Sequence, residues 1–212
     1  MSTDSLSAGL TTLFDAERNV RKTHAELLSQ NHAALVDAIE KVTSEALDLD
    51  DKHESALRLV RAAELLSDIE GPKAVDLLIH ILGEGEPEAR HAAGEALEGI
   101  AFDRFKEVAL GIERALGTLK DGSPALTELP YLLAQIPEPG VIKLLGRFLK
   151  HQDPEAVAAA IEALVECADP TTASLLGPLE KDTRSVQIEE DDDARVTIGE
   201  LAKEARDFLE KL

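Results

Sequence analysis

Apolar residues return along this chain at intervals of three and four, the period of a helix that buries one face. The stretch from Glu86 to Ile100, E-P-E-A-R-H-A-A-G-E-A-L-E-G-I, states the pattern most fully. Pro87 opens a helix where a missing N–H costs nothing, and Glu86 and Glu88 stand where the helix dipole favours negative charge. Ala89, Ala92, Ala93, Ala96, Leu97 and Ile100 then make one apolar face. A face built mainly from alanine calls for a close neighbouring helix rather than a deep core. The phrase returns as D-P-E-A-V-A-A-A-I-E-A-L-V-E-C-A from Asp153 to Ala168, and as D-A-R-V-T-I-G-E-L-A-K-E-A from Asp193 to Ala205. Repetition of one amphipathic helix predicts a solenoid, in which each unit contacts only its neighbours.

Read in order, the chain opens with a helix over residues 5–29, where Leu6, Leu10, Leu13, Glu17, Val20, His24 and Leu27 alternate by four and three. One reading makes it a cap that hides the end of the solenoid; the other makes it a dimer or partner-binding helix, with Glu17 and His24 interrupting the stripe. Helix pairs fill 31–180: Asn31 to Leu47 with His53 to Ile69, Pro72 to Leu82 with the helix already described, Arg104 to Leu119 with Pro124 to Ile136, Glu138 to Lys150 with Pro154 to Ala168, and a last pair that starts at Pro170 or Thr171 and reaches Glu180. Gly71 and Pro72 punctuate a helix stop and start, and Pro130 should kink or shorten its helix. Residues 181–193 form an acidic insertion, followed by a closing helix over 194–212 whose inner side is Ile198, Leu201, Ala205, Phe208, Leu209 and Leu212. No stretch reads as a strand. The expectation is one all-α domain over residues 1–212, an N-terminal helix plus about five pairs.

The phrase in the second helices resembles the HEAT-like repeat of the short bacterial type, the PBS-lyase-like repeat, whose signature runs roughly Asp-Pro-x-Val-Arg-x-x-Ala-Ala-x-Ala-Leu. The match holds at Pro87, Ala89, Arg90, Ala93, Ala96 and Leu97, and at Asp153, Pro154, Ala160, Ala163 and Leu164. It departs at Val157, where the family usually places arginine, so the ladder of side chains along the turns should be interrupted there. The resemblance implies a right-handed α-α superhelix whose second helices line its concave side. It names an architecture, not an activity.

Charge narrows the partners. The 42 acids against 22 bases give a net charge of −20, which repels phosphate backbones and anionic membrane surfaces. Nucleic acid is excluded as a partner, and with it the HEAT-like DNA glycosylases, which need a basic groove with aromatic residues; this chain has no Trp and one Tyr. Cys167 is the single cysteine and reads as a buried thiol on a repeat helix. The N-terminus has neither a basic start nor an apolar run, so a soluble, cytoplasmic protein without a signal peptide or membrane insertion is expected.

Aligning the second helices sets Glu64, Glu95, Glu162 and Glu200 at one equivalent position, separated by 31, 67 and 38 residues, or one, two and one repeats. His91, Glu98 and Glu166 share their stripe, which by the family resemblance faces the concave side. The functional reading is an acidic groove that receives a basic part of another protein; the other is that this is the solvated face every helix needs. Glu189, Glu190, Asp191, Asp192 and Asp193 offer a second contact surface, or a solvated loop. A binding surface also needs an apolar anchor, for which Phe102, Phe105 and Tyr131 are candidates, although the default place of each is the core. Catalysis has little to rest on. His24, His32, His53, His80, His91 and His151 are scattered without metal-ligand spacing, no Gly-rich phosphate loop is present, and the acidic run lacks the alternation and central glycine of a calcium loop. No catalytic residue, metal site or cofactor is assigned. The expected function is a non-enzymatic protein-binding adaptor or regulator with a basic protein partner. The alternatives are a bilin-lyase-like enzyme or lyase accessory subunit, which comes only through the resemblance, and a structural component of a larger assembly.

Overall fold

The computed structural model describes residues 3–187 and 195–212. Within them lie α1 (Thr3–Leu28), α2 (His32–Leu47), α3 (Lys52–Ser67), α4 (Pro72–Glu84), α5 (Pro87–Ala115), α6 (Pro124–Ala134), α7 (Gly140–Phe148), α8 (Pro154–Glu166), α9 (Ala173–Leu176), β1 (Ser185–Gln187), β2 (Arg195–Thr197) and α10 (Ile198–Leu209). Among the described residues the fold is all-α apart from one small hairpin. None of these helices is long and apolar enough to cross a membrane.

The helices start where the sequence provides a cap. The Asn31 side chain accepts from the Ala34 N–H at 3.0 Å, Asp51 from the His53 and Glu54 N–H groups at 3.1 and 3.2 Å, and Asp153 from the Glu155 N–H at 2.9 Å. α4, α5, α6 and α8 each carry proline in the first turn. Gly71, before α4, stands at φ 124°, a conformation closed to residues with a side chain.

Helices pack on the next helix in the chain or on the next but one: α2 on α3, α4 on α5, and α3 on α5, α6 on α8 and α8 on α10 across the helix between them. The alanine faces lie inside these contacts, with Ala63, Ala89, Ala93, Ala156, Ala160 and Ala163 buried, so the helix axes come close. At Gly111 the approach is closer still, since a Cβ there would strike Val75 on α4. Polar ties follow the same periodicity. The Gly122 N–H donates to Asp153 31 residues on, and the Gly71 N–H to Glu107 36 on; Arg90 donates to Glu128 38 on, and Arg114 donates to Asp76 38 residues back.

The structure departs from the expected elements in four places. First, the second and third pairs are not separated by a loop: α5 runs on past Ile100, broken only at Arg104 (φ −137°, ψ 46°), where the ring of Phe105 lodges against Gly140. The two pairs thus meet at a kink, at the residue where the third pair was expected to begin, with no loop between them. Second, Pro170 to Leu179 forms two 3-10 turns around the four-residue α9 rather than a full helix, because Pro170, Gly177 and Pro178 interrupt it. Third, strands are present. β1 and β2 pair antiparallel with Val186 opposite Val196, and the closing helix begins only at Ile198, once β2 ends. Val186 is buried, which gives the hairpin an apolar foot on the helices. Fourth, α1 does not cover an end of the domain as a cap would: none of its residues is buried. The acidic run Glu189, Glu190, Asp191, Asp192 and Asp193 lies outside the described residues.

Candidate partner-binding surface

Burial of Ala89, Ala93, Leu97 and Ile100 turns the opposite edge of α5 outward. Burial of Leu59, Ala62, Ala63 and Leu66 does the same for α3. Between these edges runs a groove of about 800 Å³. Val60, Ala92, Ala96, Gly99 and Ile100 contribute its apolar part, and Glu64, Glu88, His91, Glu95, Asp103 and Arg104 its polar part. Glu64, His91 and Glu95, placed on one stripe from the sequence, therefore do meet at one groove. Arg61 donates to Glu64 at 2.6 Å, and His91 Nε2 lies 3.5 Å from Glu95 Oε1 with both side chains at least 70% exposed, so neither carboxylate is locked away from a partner. The one guanidinium on the groove, Arg104, is held by Glu107 at 3.2 Å. Glu88 and Asp103 were not among the residues expected here; their signal was the spacing of α5 itself, one turn before His91 and two turns after Glu95.

The rest of the stripe divides. Glu98 is half-buried and outside that lining. Glu162 accepts from the Tyr131 hydroxyl and Glu166 from the Gln135 amide at 2.6 Å, each across 31 residues, so both are positioned by α6 and the residue that follows it rather than solvated freely. Glu200 has a different role. It is the third residue of α10 and accepts from the Thr197 N–H at 2.9 Å and the Thr197 hydroxyl at 2.7 Å, while its own N–H donates back to Thr197 Oγ1 at 3.2 Å. This reciprocal cap holds the Glu200 carboxyl below the usual carboxylate range, first through the backbone donor. Aligning α10 on the residue phrase alone could not show that β2 delays its start and places Glu200 in the first turn.

A smaller groove of about 300 Å³ runs between α8 and α10, with Ile161, Val165, Leu201, Ala205 and Phe208 beside Glu162 and Glu204. Phe208 and Leu212, expected on the inner side of the closing helix, are 47% and 61% exposed. Of the candidate anchors, Phe102 and Tyr131 are exposed rather than in the core, and Phe105 is half-buried against Gly140.

The hairpin is secured by Arg184, whose guanidinium donates to the His151 and Gln152 carbonyls at 2.9 and 2.7 Å and to the Asp182 carboxylate at 2.6 Å. Those bonds hold Asp182 below the usual carboxylate range. Cys167 ends α8 half-buried and lines neither groove; desolvation pushes its thiol above the ordinary range. Among the described residues no three His, Cys, Asp or Glu side chains gather so as to hold a metal ion. Comparison with family models, with curated proteins and with solved structures finds no match.

Proposed function

We propose that this chain is a non-enzymatic adaptor or regulator of the HEAT-like kind, with its pairs arranged as a right-handed α-α superhelix and a basic segment of another protein bound along its second helices. The observation that carries the reading is the α3–α5 groove: Glu64, Glu88, Glu95 and Asp103 stand around an apolar floor, the arginine in its lining, Arg104, is already occupied by Glu107, and Arg61 beside it offsets Glu64 alone. Such a groove steers a basic partner by its charge and rewards an apolar side chain placed on Val60, Ala96 and Ile100. Glu162 and Glu166, held by hydrogen bonds from Tyr131 and Gln135, extend the acidic row onto α8. Glu200 is set aside, because its carboxylate caps α10.

The test is affinity capture from native extract at low salt, with the parent chain beside a variant carrying Glu64→Gln, Glu88→Gln and Glu95→Gln. A basic protein held by the parent, released as ionic strength passes ~0.15 M and absent from the variant would support the reading. Retention of the same proteins by both forms would discard the groove as the contact surface.

A further inference from the structure

Two of the apolar surfaces that stand open among the described residues complement each other, each carrying what the other lacks. On α1, Leu6, Leu10, Leu13 and Phe14 are 52–61% exposed along one stripe, and no residue of the helix is buried. A helix that leaves such a stripe in water is only marginally stable by itself. Beyond Phe14 come Arg18, Arg21 and Lys22, the only five-residue window of the sequence with three cations, and residues 18–24 contain no acid. The α8–α10 groove is the converse: an apolar floor with Phe208 as a half-exposed wall and Glu162 and Glu204 at its edge. The chain's own α1 is tied to the other end of the domain, packing on α2 with His24 Nε2 3.2 Å from Asp68 Oδ2.

We infer that α1 of one copy seats in the α8–α10 groove of a second copy. Leu10, Leu13 and Phe14 lie on the apolar floor, and Arg18 and Arg21 meet Glu162 and Glu204. Within its own helix Arg18 pairs with Asp15 and Arg21 with Glu17, but these pairs are more than 45% exposed and exchange at little cost. The contact is heterologous, since a different surface is used on each copy; association therefore continues beyond two copies unless the geometry closes a ring. The inference does not depend on the α3–α5 groove and leaves that groove free, although it takes Glu162 from the acidic row proposed to extend from it.

Sedimentation of the full chain over a range of concentrations provides the test, with two full-length variants whose helix content is checked by circular dichroism. Leu10→Glu with Leu13→Glu spoils α1 and keeps the groove; Phe208→Glu spoils the groove and keeps α1. The parent should exceed its monomer mass of 22.8 kDa as concentration rises, and each variant should need about tenfold more protein or remain monomeric. Mixed together, the two variants should form a one-to-one pair that grows no further, because only one intact α1 and one intact groove remain. Glu204→Lys, an exposed change, repeats the groove arm should Phe208→Glu fail to fold. A parent that is monomeric throughout, a groove variant that associates like the parent, as it would if α1 paired with α1, or a mixture that stays monomeric would each overturn the inference.

Discussion

α1 and α10 are both amphipathic helices at the ends of the chain, and their surroundings could hardly differ more. α1 carries Leu6, Leu10, Leu13, Val20 and Leu27 in one stripe and buries nothing, whereas α10 buries Ile198, Gly199, Ala202, Ala205 and Leu209. The hydrophobic pattern does not separate them; their attachments do. α10 follows directly on β2, starts at a capping box and is held by Arg206 donating to Glu180 at 2.6 Å, while a Cβ on Gly199 would stand 2.7 Å from the Glu180 carbonyl. α1 reaches the domain through three residues, with Leu28 packed against the core and a long-range side-chain tie from His24 to Asp68. Amphipathicity says that a helix needs a neighbour, and the tether decides whether its own chain supplies one.

Core truncation gives the widest contrast. Leu209→Ala should lower stability by about 3 kcal/mol, whereas Leu13→Ala should change it by less than ~0.5 kcal/mol, both measured by urea unfolding at protein concentrations low enough to keep copies apart. Comparable losses would mean that α1 is packed after all, and the contrast would fail. Next in size, Thr197→Ala removes the cap of α10 and should cost about 1 kcal/mol. Glu200→Gln should weaken the same helix end less and leave partner capture unchanged; loss of capture would return Glu200 to the binding surface.

The tether of the hairpin should be visible in acid. Arg184 lowers the folded-state pKa of Asp182 below its ordinary value, so the unfolded chain takes up that proton first. The stabilisation is complete above the ordinary carboxylate range and disappears as pH falls through the lower, folded value. Asp182→Asn should therefore destabilise the protein at neutral pH and flatten that part of the acid limb. An acid limb identical in both proteins would remove Asp182 from the account of what holds α10.

Much of this architecture could be read from residues. Pro87, Pro154 and the alanine faces define helices that the structure keeps, and a spacing of 31 recurs in the bonds from Tyr131 to Glu162 and Gln135 to Glu166. Glu64, His91 and Glu95 reach one groove because helical phase fixes direction. What was illegible depended on tertiary partners. Val186 and Val196 form strands only because each has the other, and Glu200 becomes a cap because β2 postpones the helix. Phe208 matches the apolar period of α10 yet ends in the wall of a groove, while Ala202, Ala205 and Leu209 take the buried side.

The smallest effect concerns the tie from His24 to Asp68. His24→Ala deletes the contact with Asp68, and because both side chains are partly solvated the unfolding free energy should move by no more than ~0.5 kcal/mol. Direction should change far more than stability. Spin labels on cysteines replacing Leu10 and Leu57, both exposed, in a chain with Cys167→Ala report the distance from α1 to α3. With His24 present that distance should have one narrow distribution in dilute protein; without it the distribution should broaden while helix content stays constant. A distribution that is already broad with His24 present would show that the contact does not set the direction of α1. One that stays narrow without His24 would assign the orientation to Leu28 and the turn before α2. In either case α1 would differ from α10 for a reason other than the number of its tethers.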